Sequence, residues 1–363
     1  MKYRKLGNSG TVVSRLALGT MYFGKETPEA DAHAILDGFV EAGGTLVDTA
    51  DVYAENEAEK IIGRWFASRP KDFTDCVVLA TKGRNGGDPA EENGAGLSRR
   101  FLHRSLDASL TRLGVGTIDL YQLHAADMET PVEETLLFLD DAVRAGKIHY
   151  VGLSNFKGWQ VQLMVSTAEA MGLHVPVSIQ PQYSLLSRLT EWEVLPAARH
   201  KGLAILPWSP LAGGLLSGKY DRGREPAPAT RATSDNPIYS WAQTDYAKSD
   251  RNWATIDAVE RIAREIGATP AQVALAWIAD RPGVVAPIFG VRTVEQLRDN
   301  LGAGDLVLDD TMTTTLEEVS RPVAESYPYD AFGIGQRWRE VKDDSCEFVQ
   351  PYLKDADGPA RNA

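Results

Sequence analysis

Short apolar runs alternate with longer amphipathic stretches along most of this chain. Residues 16–18 predict a strand and residues 30–41 a helix behind it. The pair repeats at 45–48 with 58–67, and again at 77–82 with 98–113. In the last helix Leu102, Leu106, Leu110 and Leu113 fall on one face, the 3.6-residue period of an amphipathic helix. Residues 118–123 predict a strand, and 131–144 a helix with Pro131 in its first turn, where a missing N–H costs nothing. Further strands are predicted at 150–153, 177–180, 204–207 and 284–288, with helices from about 158 and over 294–301. Such alternation implies a parallel sheet, and eight units close into a (β/α)8 TIM barrel. Ahead of them, residues 3–15 alternate around Gly7-Asn8-Ser9-Gly10. That pattern predicts an N-terminal β-hairpin, placed to plug one end of the barrel.

Three stretches break the rhythm. Residues 83–96 are rich in Gly, Asn and Asp, residues 212–249 in Pro, Ala and Gly, and the tail from 321 carries aromatic residues before turning polar. Long loops on the C-terminal face of a barrel shape its substrate site. The expected organisation is therefore a barrel over 1–320 and a C-terminal loop and tail over 321–363, partly substrate-lining and disordered at its end.

Composition narrows the class. Of 363 residues, 43% are hydrophobic and 24% charged, as in soluble globular proteins. The net charge of −12 comes without any Lys/Arg block, so a nucleic-acid partner is not expected. The two cysteines, Cys76 and Cys346, suit a reducing compartment and offer no metal-ligand cluster. The first residues lack the apolar stretch of a signal peptide, and no run of apolar residues is long enough to span a bilayer. The expected location is the cytoplasm, with no membrane partner.

Four ionisable residues then stand out. Asp48, Lys82 and His124 each end a predicted strand, and Tyr53 lies in the loop after Asp48. In a parallel barrel all these strand ends open on the face where chemistry occurs. A phenol is a reluctant acid at neutral pH, and a neighbouring ammonium lowers its pKa. Lys82 is placed to supply that charge, Asp48 to hold Lys82, and His124 to hydrogen-bond a carbonyl oxygen while Tyr53 protonates it. No metal is needed. Any one of these residues alone is as readily structural, and His33, His103, His149, His174 and His200 are read as packing residues. Asp51 and Glu55 are read as solvent-facing or loop-ordering.

The segments Asp48-Thr49-Ala50-Asp51-Val52-Tyr53, Ala80-Thr81-Lys82 and Asp119-Leu120-Tyr121-Gln122-Leu123-His124 resemble the signatures of the aldo-keto reductases. The form is nearest to NADP-binding members related to potassium channel β-subunits and to bacterial general aldo/keto reductases. The resemblance runs from about residue 1 to 319 and implies that Asp48, Tyr53, Lys82 and His124 form a catalytic tetrad. It implies that Ser154, Asn155 and Gln180 hold a nicotinamide carboxamide, with Gly19, Thr20 and Met21 as the first strand's cofactor contact. The segment after the seventh barrel strand resembles the one that wraps the pyrophosphate. Trp208 would stack on the nicotinamide, Ser209, Pro210, Leu211, Ala212 and Gly213 would cradle phosphate, and Lys219 and Arg231 would add charge. Gly290, Arg292, Gln296, Asp299 and Asn300 are implied to line the adenosine and its 2′-phosphate.

Phe289 stands where the family usually has proline, and Gly290-Val291 where many members have Lys-Ser. NADP(H) is still the expected cofactor, with NAD less favoured. The expected activity is reduction of a small aldehyde or ketone to an alcohol. The alternative within the resemblance is a nucleotide-binding sensor subunit with slow turnover, against which an intact His124 argues. A metal-dependent barrel hydrolase would need a ligand set that the chain lacks. Substrate contacts are expected from Tyr22, Tyr53 and His124. Phe23, Asn85, Trp241, Tyr327, Tyr329 and Phe332 lie in loops that line the pocket in family members, or simply pack those loops.

Overall fold

The computed structural model describes residues 1–88, 90–222, 245–324 and 326–337. The chain divides into two compact units, Met1–Ser320 and Arg321–Ala363. Within the second, a helix spans Ala331–Arg337. Tyr327, Tyr329 and Phe332 belong to that unit, while Arg231 and Trp241 lie outside the described residues.

The first unit opens with antiparallel β1 (Tyr3–Lys5) and β2 (Val12–Ser14), Tyr3 facing Ser14. Gly7 sits in their turn with φ of +56°, and a Cβ there would lie 2.2 Å from the Val177 carbonyl oxygen. Only glycine fits that approach. It presses the hairpin onto the segments that lead into two barrel strands, so Leu6 joins Ala17, Leu46, Ala80, Leu120 and Ala204 in an inner apolar layer. The expected plug is present.

Eight parallel strands follow: β3 (Ala17–Gly19), β4 (Leu46–Asp48), β5 (Val78–Gly83), β6 (Ile118–Leu123), β7 (Ile148–Ser154), β8 (Ser178–Gln180), β9 (Ala204–Ile205) and β10 (Ile288–Gly290). They pair in chain order, with β10 returning to β3. Isolated parallel bridges Ile205–Val284 and Trp208–Ile288 join the remaining edges. There Val285 N donates to Ile205 O at 2.9 Å and Ile288 N to Pro207 O at 2.8 Å. The sheet thus closes as a (β/α)8 barrel, the architecture expected from the rhythm.

The helices between strands carry recognisable stops and starts. Helix Arg99–Leu113 begins at Ser98, whose hydroxyl accepts from Phe101 N, and ends at Gly114 with φ of +66°. Helix Pro270–Ala279 has Thr269 and Gln272 as a capping box and Pro270 in its first turn. The buried faces of these helices meet the outward faces of the strands in one large core containing Phe39, Trp65, Phe101, Phe138 and Trp277.

Most strand bounds shift by a residue or two from the sequence reading, and at two strands proline explains the shift. The strand expected at 204–207 stops at Ile205, and the one expected at 284–288 forms instead at Ile288–Gly290. Pro207 and Pro287 have no N–H to give to a ladder. Val284 keeps a single bridge to Ile205.

Arg15, 0% exposed, fastens the closed end of the barrel. Its guanidinium donates to the carbonyls of Ala303, Gly304 and Leu306 at 3.1, 2.9 and 3.3 Å and pairs with Asp280 at 2.8 Å. Replacing it with Met strands two buried acceptors and one part-buried one. The expected loss is about 3 kcal/mol, read as a lower urea midpoint for Arg15→Met, and an unchanged midpoint would show that Arg15 does not hold this end.

Candidate active site

Register brings Asp48, Lys82 and His124 together, and the turn after β4 adds Tyr53. Gly19 pairs with Asp48, Asp48 with Ala80, and Lys82 with Gln122. Side chains alternate along a strand, so Gln122 and then His124, two residues on, continue one face of β6. Asp48 is 2% and Lys82 0% exposed. Lys82 Nζ donates to Asp48 Oδ2 at 2.5 Å, to Thr49 O at 2.8 Å and to the Tyr53 hydroxyl at 3.2 Å. All three ammonium protons have acceptors, and the charge also lies 4.8 Å from the Tyr53 ring centroid.

The remaining carboxylate oxygen of Asp48 is equally occupied. Gln122 Nε2 and Gln180 Nε2 each donate to Asp48 Oδ1 at 2.9 Å, and Gln180 Nε2 also reaches Gln122 Oε1 at 2.9 Å. Gln122 was not among the expected site residues. Its signal was its place two residues before His124, on the inward face. Thr20 donates to the Asp48 carbonyl through both N and Oγ1 at 3.0 Å, which fastens the end of β4 to the loop after β3.

Tyr53 is held by a turn that its sequence conceals. Ala54, Glu55 and Asn56 all have positive φ, at 48°, 54° and 74°. Three consecutive non-glycine residues in the left-handed region cost energy. The Asn56 side chain donates to the Asp51 carbonyl and braces the turn. Asp51 is not solvent-facing but 1% exposed. It orders the loop after β5, accepting from Gly86 N and Ser105 Oγ at 3.0 Å each. Burial above all pushes its carboxyl up to about 6.

The electrostatics of Tyr53 correct the expectation of a lowered pKa. Burial pushes the phenol up and outweighs the pull of the Lys82 ammonium, while Asp48 adds to the rise. Tyr53 is a neutral phenol at physiological pH. Lys82 responds the other way: burial opposes its charge, but Asp48 and Tyr53 hold it above the usual lysine range. His124 stands across from Tyr53 with ring centroids 6.0 Å apart and planes at 81°. Burial first, then the charges of Lys82 and Arg84, depress its imidazole to about 3, so the ring is neutral. Its buried Nδ1 has no partner.

The residues expected to meet a dinucleotide form a second group on the same face. Ser154 Oγ donates to Gln180 O at 3.0 Å, and Asn155 Nδ2 donates to Ser154 Oγ at 3.1 Å and to His124 O at 2.9 Å. Trp208 Nε1 donates to Asn155 Oδ1 at 3.0 Å. The indole is thereby tied to the strand end that carries Ser154. After it, Ser209, Ala212, Gly213 and Gly214 take φ of 54°, 49°, 69° and 96°, and Gly213 N donates to Ser209 Oγ at 3.2 Å. Pro210, Ala212 and Gly213 are buried, Leu211 half-buried. Gly19 allows Ile288 to approach, since a Cβ would lie 2.9 Å from its Cγ2. Met21 and Tyr22 are half-buried, and the Tyr22 ring covers Gly290.

Lys219 is exposed, near Arg292 and Asp299, and partial desolvation, then the Arg292 charge, lower its pKa. Gln296 Oε1 accepts from Arg292 N at 2.9 Å. Asp299 is engaged by its own scaffold: Thr269 Oγ1 and Gln272 Nε2 each donate to its carboxylate at 3.2 Å. Asn300 is buried. Phe23 is fully buried and packs in the helix–strand core, in keeping with the packing role that its sequence position also allowed. Asn85 Oδ1 accepts from Arg84 Nη1 at 2.8 Å. Among the described residues no cluster of three or more His, Cys, Asp or Glu is arranged to hold a metal, and no helix is long and apolar enough to cross a membrane.

The sequence model of the Aldo/keto reductase family matches residues 15–321. The chain is similar to the uncharacterized oxidoreductase YrpG of Bacillus subtilis (strain 168), 39% identical over 326 residues covering 88% of this chain and 96% of the relative. A probable voltage-gated potassium channel subunit beta of Oryza sativa subsp. japonica is 34% identical over 309 residues, 85% of this chain and 92% of that one. The versiconal hemiacetal acetate reductase of Aspergillus parasiticus is 32% identical over 347 residues, covering 89% and 98%.

The burial of His124 predicts its titration. Its ring resonances in NMR are expected to stay constant from about pH 5 to pH 8, because the folded imidazole protonates only near 3. A midpoint near the ordinary histidine value of about 6.5 would mean that the imidazole is solvated and chargeable.

Proposed function

The chain belongs to the Aldo/keto reductase family, and on that premise we propose that it is an NADP(H)-dependent oxidoreductase that reduces an aldehyde or ketone to an alcohol, with Tyr53 as general acid. The observation that carries this reading is the contact of Lys82 Nζ with the Tyr53 hydroxyl at 3.2 Å while Asp48 balances the ammonium. A phenol kept protonated by burial has a proton to give. As that proton leaves, the developing phenolate faces a fixed ammonium, so the interaction strengthens toward the transition state.

NADPH, when bound, supplies the hydride. The work of the chain is to orient the acceptor and move the proton. His124, neutral, carries one N–H for the carbonyl oxygen, and its tautomer follows from that partner. Tyr53 donates its hydroxyl proton to the same oxygen, completing the alcohol. The fit of a nicotinamide dinucleotide is supported by one indole at the open face, tied through Asn155 to Ser154 and Gln180, and by the tight backbone turns after it. A relative named as a reductase supports the reductive direction. Lys219 and Arg292 favour a 2′-phosphate, since guanidinium and ammonium groups bind phosphate through charge-assisted hydrogen bonds. We read the protein as cytoplasmic, with a small carbonyl compound as its partner.

Two variants test the reading. Tyr53→Phe should lower kcat by roughly 10²- to 10⁴-fold while leaving NADPH binding, followed by protein fluorescence, nearly intact. A loss below tenfold would remove Tyr53 from the acid role. Replacing Lys219 and Arg292 with Ala should raise KM for NADPH about tenfold and leave KM for NADH unchanged. Equal losses with both would place the two cations elsewhere than on a 2′-phosphate.

A further inference from the structure

One cation on the open face has no carboxylate within ion-pair distance among the described residues. Arg84 directly follows β5, two residues past Lys82, just as His124 lies two residues past Gln122 on β6. Gly83 pairs with Leu123, and His124 N donates to Gly83 O at 3.1 Å. Arg84 and His124 therefore rise from adjacent strand ends, and the guanidinium charge is felt by the imidazole. The half-buried Arg84 donates from Nη1 to Asn85, while its buried Nε donates to nothing. Asp127 is near enough to feel the charge, yet its carboxylate is already taken. Leu97 N and Thr130 Oγ1 donate to its Oδ2 at 2.8 Å, and Glu129 N to its Oδ1 at 3.0 Å.

A buried donor without an acceptor is destabilising unless something fills it. Here the surrounding loop is fixed as if to keep the donor in place. Gly96 N donates to Arg84 O at 3.0 Å. Asp51 clasps Gly86 N, so closely that a Cβ on Gly86 would come within 2.5 Å of the Asp51 carboxyl carbon. Arg84 itself has φ of 151°, a conformation L-residues rarely adopt, and strain of this kind gathers at binding sites. The whole chain carries −12, so a local cation is what an anionic ligand would need against a repelling field.

We propose that Arg84, assisted by Asn85, binds an anionic group on the carbonyl substrate, a carboxylate foremost, so that the preferred substrates are oxo acids rather than neutral carbonyl compounds. This rests on the reading of the site as a carbonyl reductase. Guanidinium meets carboxylate through two parallel hydrogen bonds, and the half-buried guanidinium of Arg84 has Asn85 alone as its side-chain acceptor among the described residues. Tyr53 and His124 would take the carbonyl oxygen, and Arg84, beside His124, the acid group at the other end of a short substrate.

The test compares each acid with its methyl ester, which keeps the carbonyl and removes the charge. NADPH-driven reduction of para-formylbenzoate and succinic semialdehyde is measured against their esters, in the wild type, Arg84→Gln and Arg84→Lys. The wild type should favour the acids in kcat/KM. Arg84→Gln should lower the acid-over-ester ratio roughly 10- to 100-fold, chiefly through KM, and Arg84→Lys should restore part of it. A variant that is merely less well folded loses acid and ester alike and leaves the ratio unmoved. An equal preference in the wild type, or a ratio kept by Arg84→Gln, would overturn the proposal while the carbonyl-reductase reading stands. If the wild type reduces neither acid nor ester, that reading fails instead, and benzoate binding by calorimetry decides the anion site. Binding lost in Arg84→Gln retains the site, and no binding to the wild type removes it.

Discussion

Lys82 carries a full positive charge into the barrel, with no exposed surface, and the rest of the site is arranged around keeping it there. A lone ammonium at that depth would lose its proton, because desolvation disfavours the charged form. Asp48 at 2.5 Å supplies the opposite charge, and the backbone oxygen of Thr49 and the hydroxyl of Tyr53 supply the remaining acceptors. The carboxylate is in turn completed by two glutamine amides. A buried pair survives desolvation only when its leftover donors and acceptors are satisfied. Four strands meet that condition here: β4 brings Asp48, β5 Lys82, β6 Gln122 and β8 Gln180. Barrel closure and charge placement are therefore one constraint.

The other side chains take their character from that pair. Tyr53 is pulled toward ionisation by Lys82 and pushed away from it by burial, and burial prevails in the resting state. Such a balance suits an acid that must hold its proton until negative charge forms near it. The same ammonium helps to keep His124 neutral, so one charge sets the protonation of two neighbours. The left-handed turn at Ala54, Glu55 and Asn56 shows a further cost of placing the hydroxyl over Lys82. It is held by Asn56 and by Asp51, and Asp51 also anchors the loop that presents Arg84.

Much of this was legible in the sequence, for physical reasons that can be named. The barrel could be read because its strands are apolar runs and its helices keep a 3.6-residue face, as with Leu102, Leu106 and Leu113. The strand-end residues could be read because a parallel barrel sends every C-terminal strand end to one face. Gln122 escaped notice because a neutral amide on a strand looks like any inward polar residue until its partner is seen. The turn after Tyr53 could not be read, since nothing in Ala-Glu-Asn announces positive φ as glycine would. The sign of the Tyr53 shift was beyond reach for another reason: it is a difference between burial and charge, and burial depends on packing from distant segments. Pro207 and Pro287 were visible in the sequence, and their missing N–H groups shorten or displace two strands whose existence was correctly expected.

The account stands on the claim that Asp48 and Lys82 act as one unit. A double-mutant cycle in urea denaturation measures that directly, using Asp48→Asn, Lys82→Met and the two together. Each single change leaves an uncompensated buried charge and should cost about 3–5 kcal/mol. The double variant, with no charge left to desolvate, should be at least as stable as the better single one, giving a coupling of about 3 kcal/mol or more. Losses that simply add would contradict the account, because they would mean that the two residues contribute independently and that the site is not organised by their pairing.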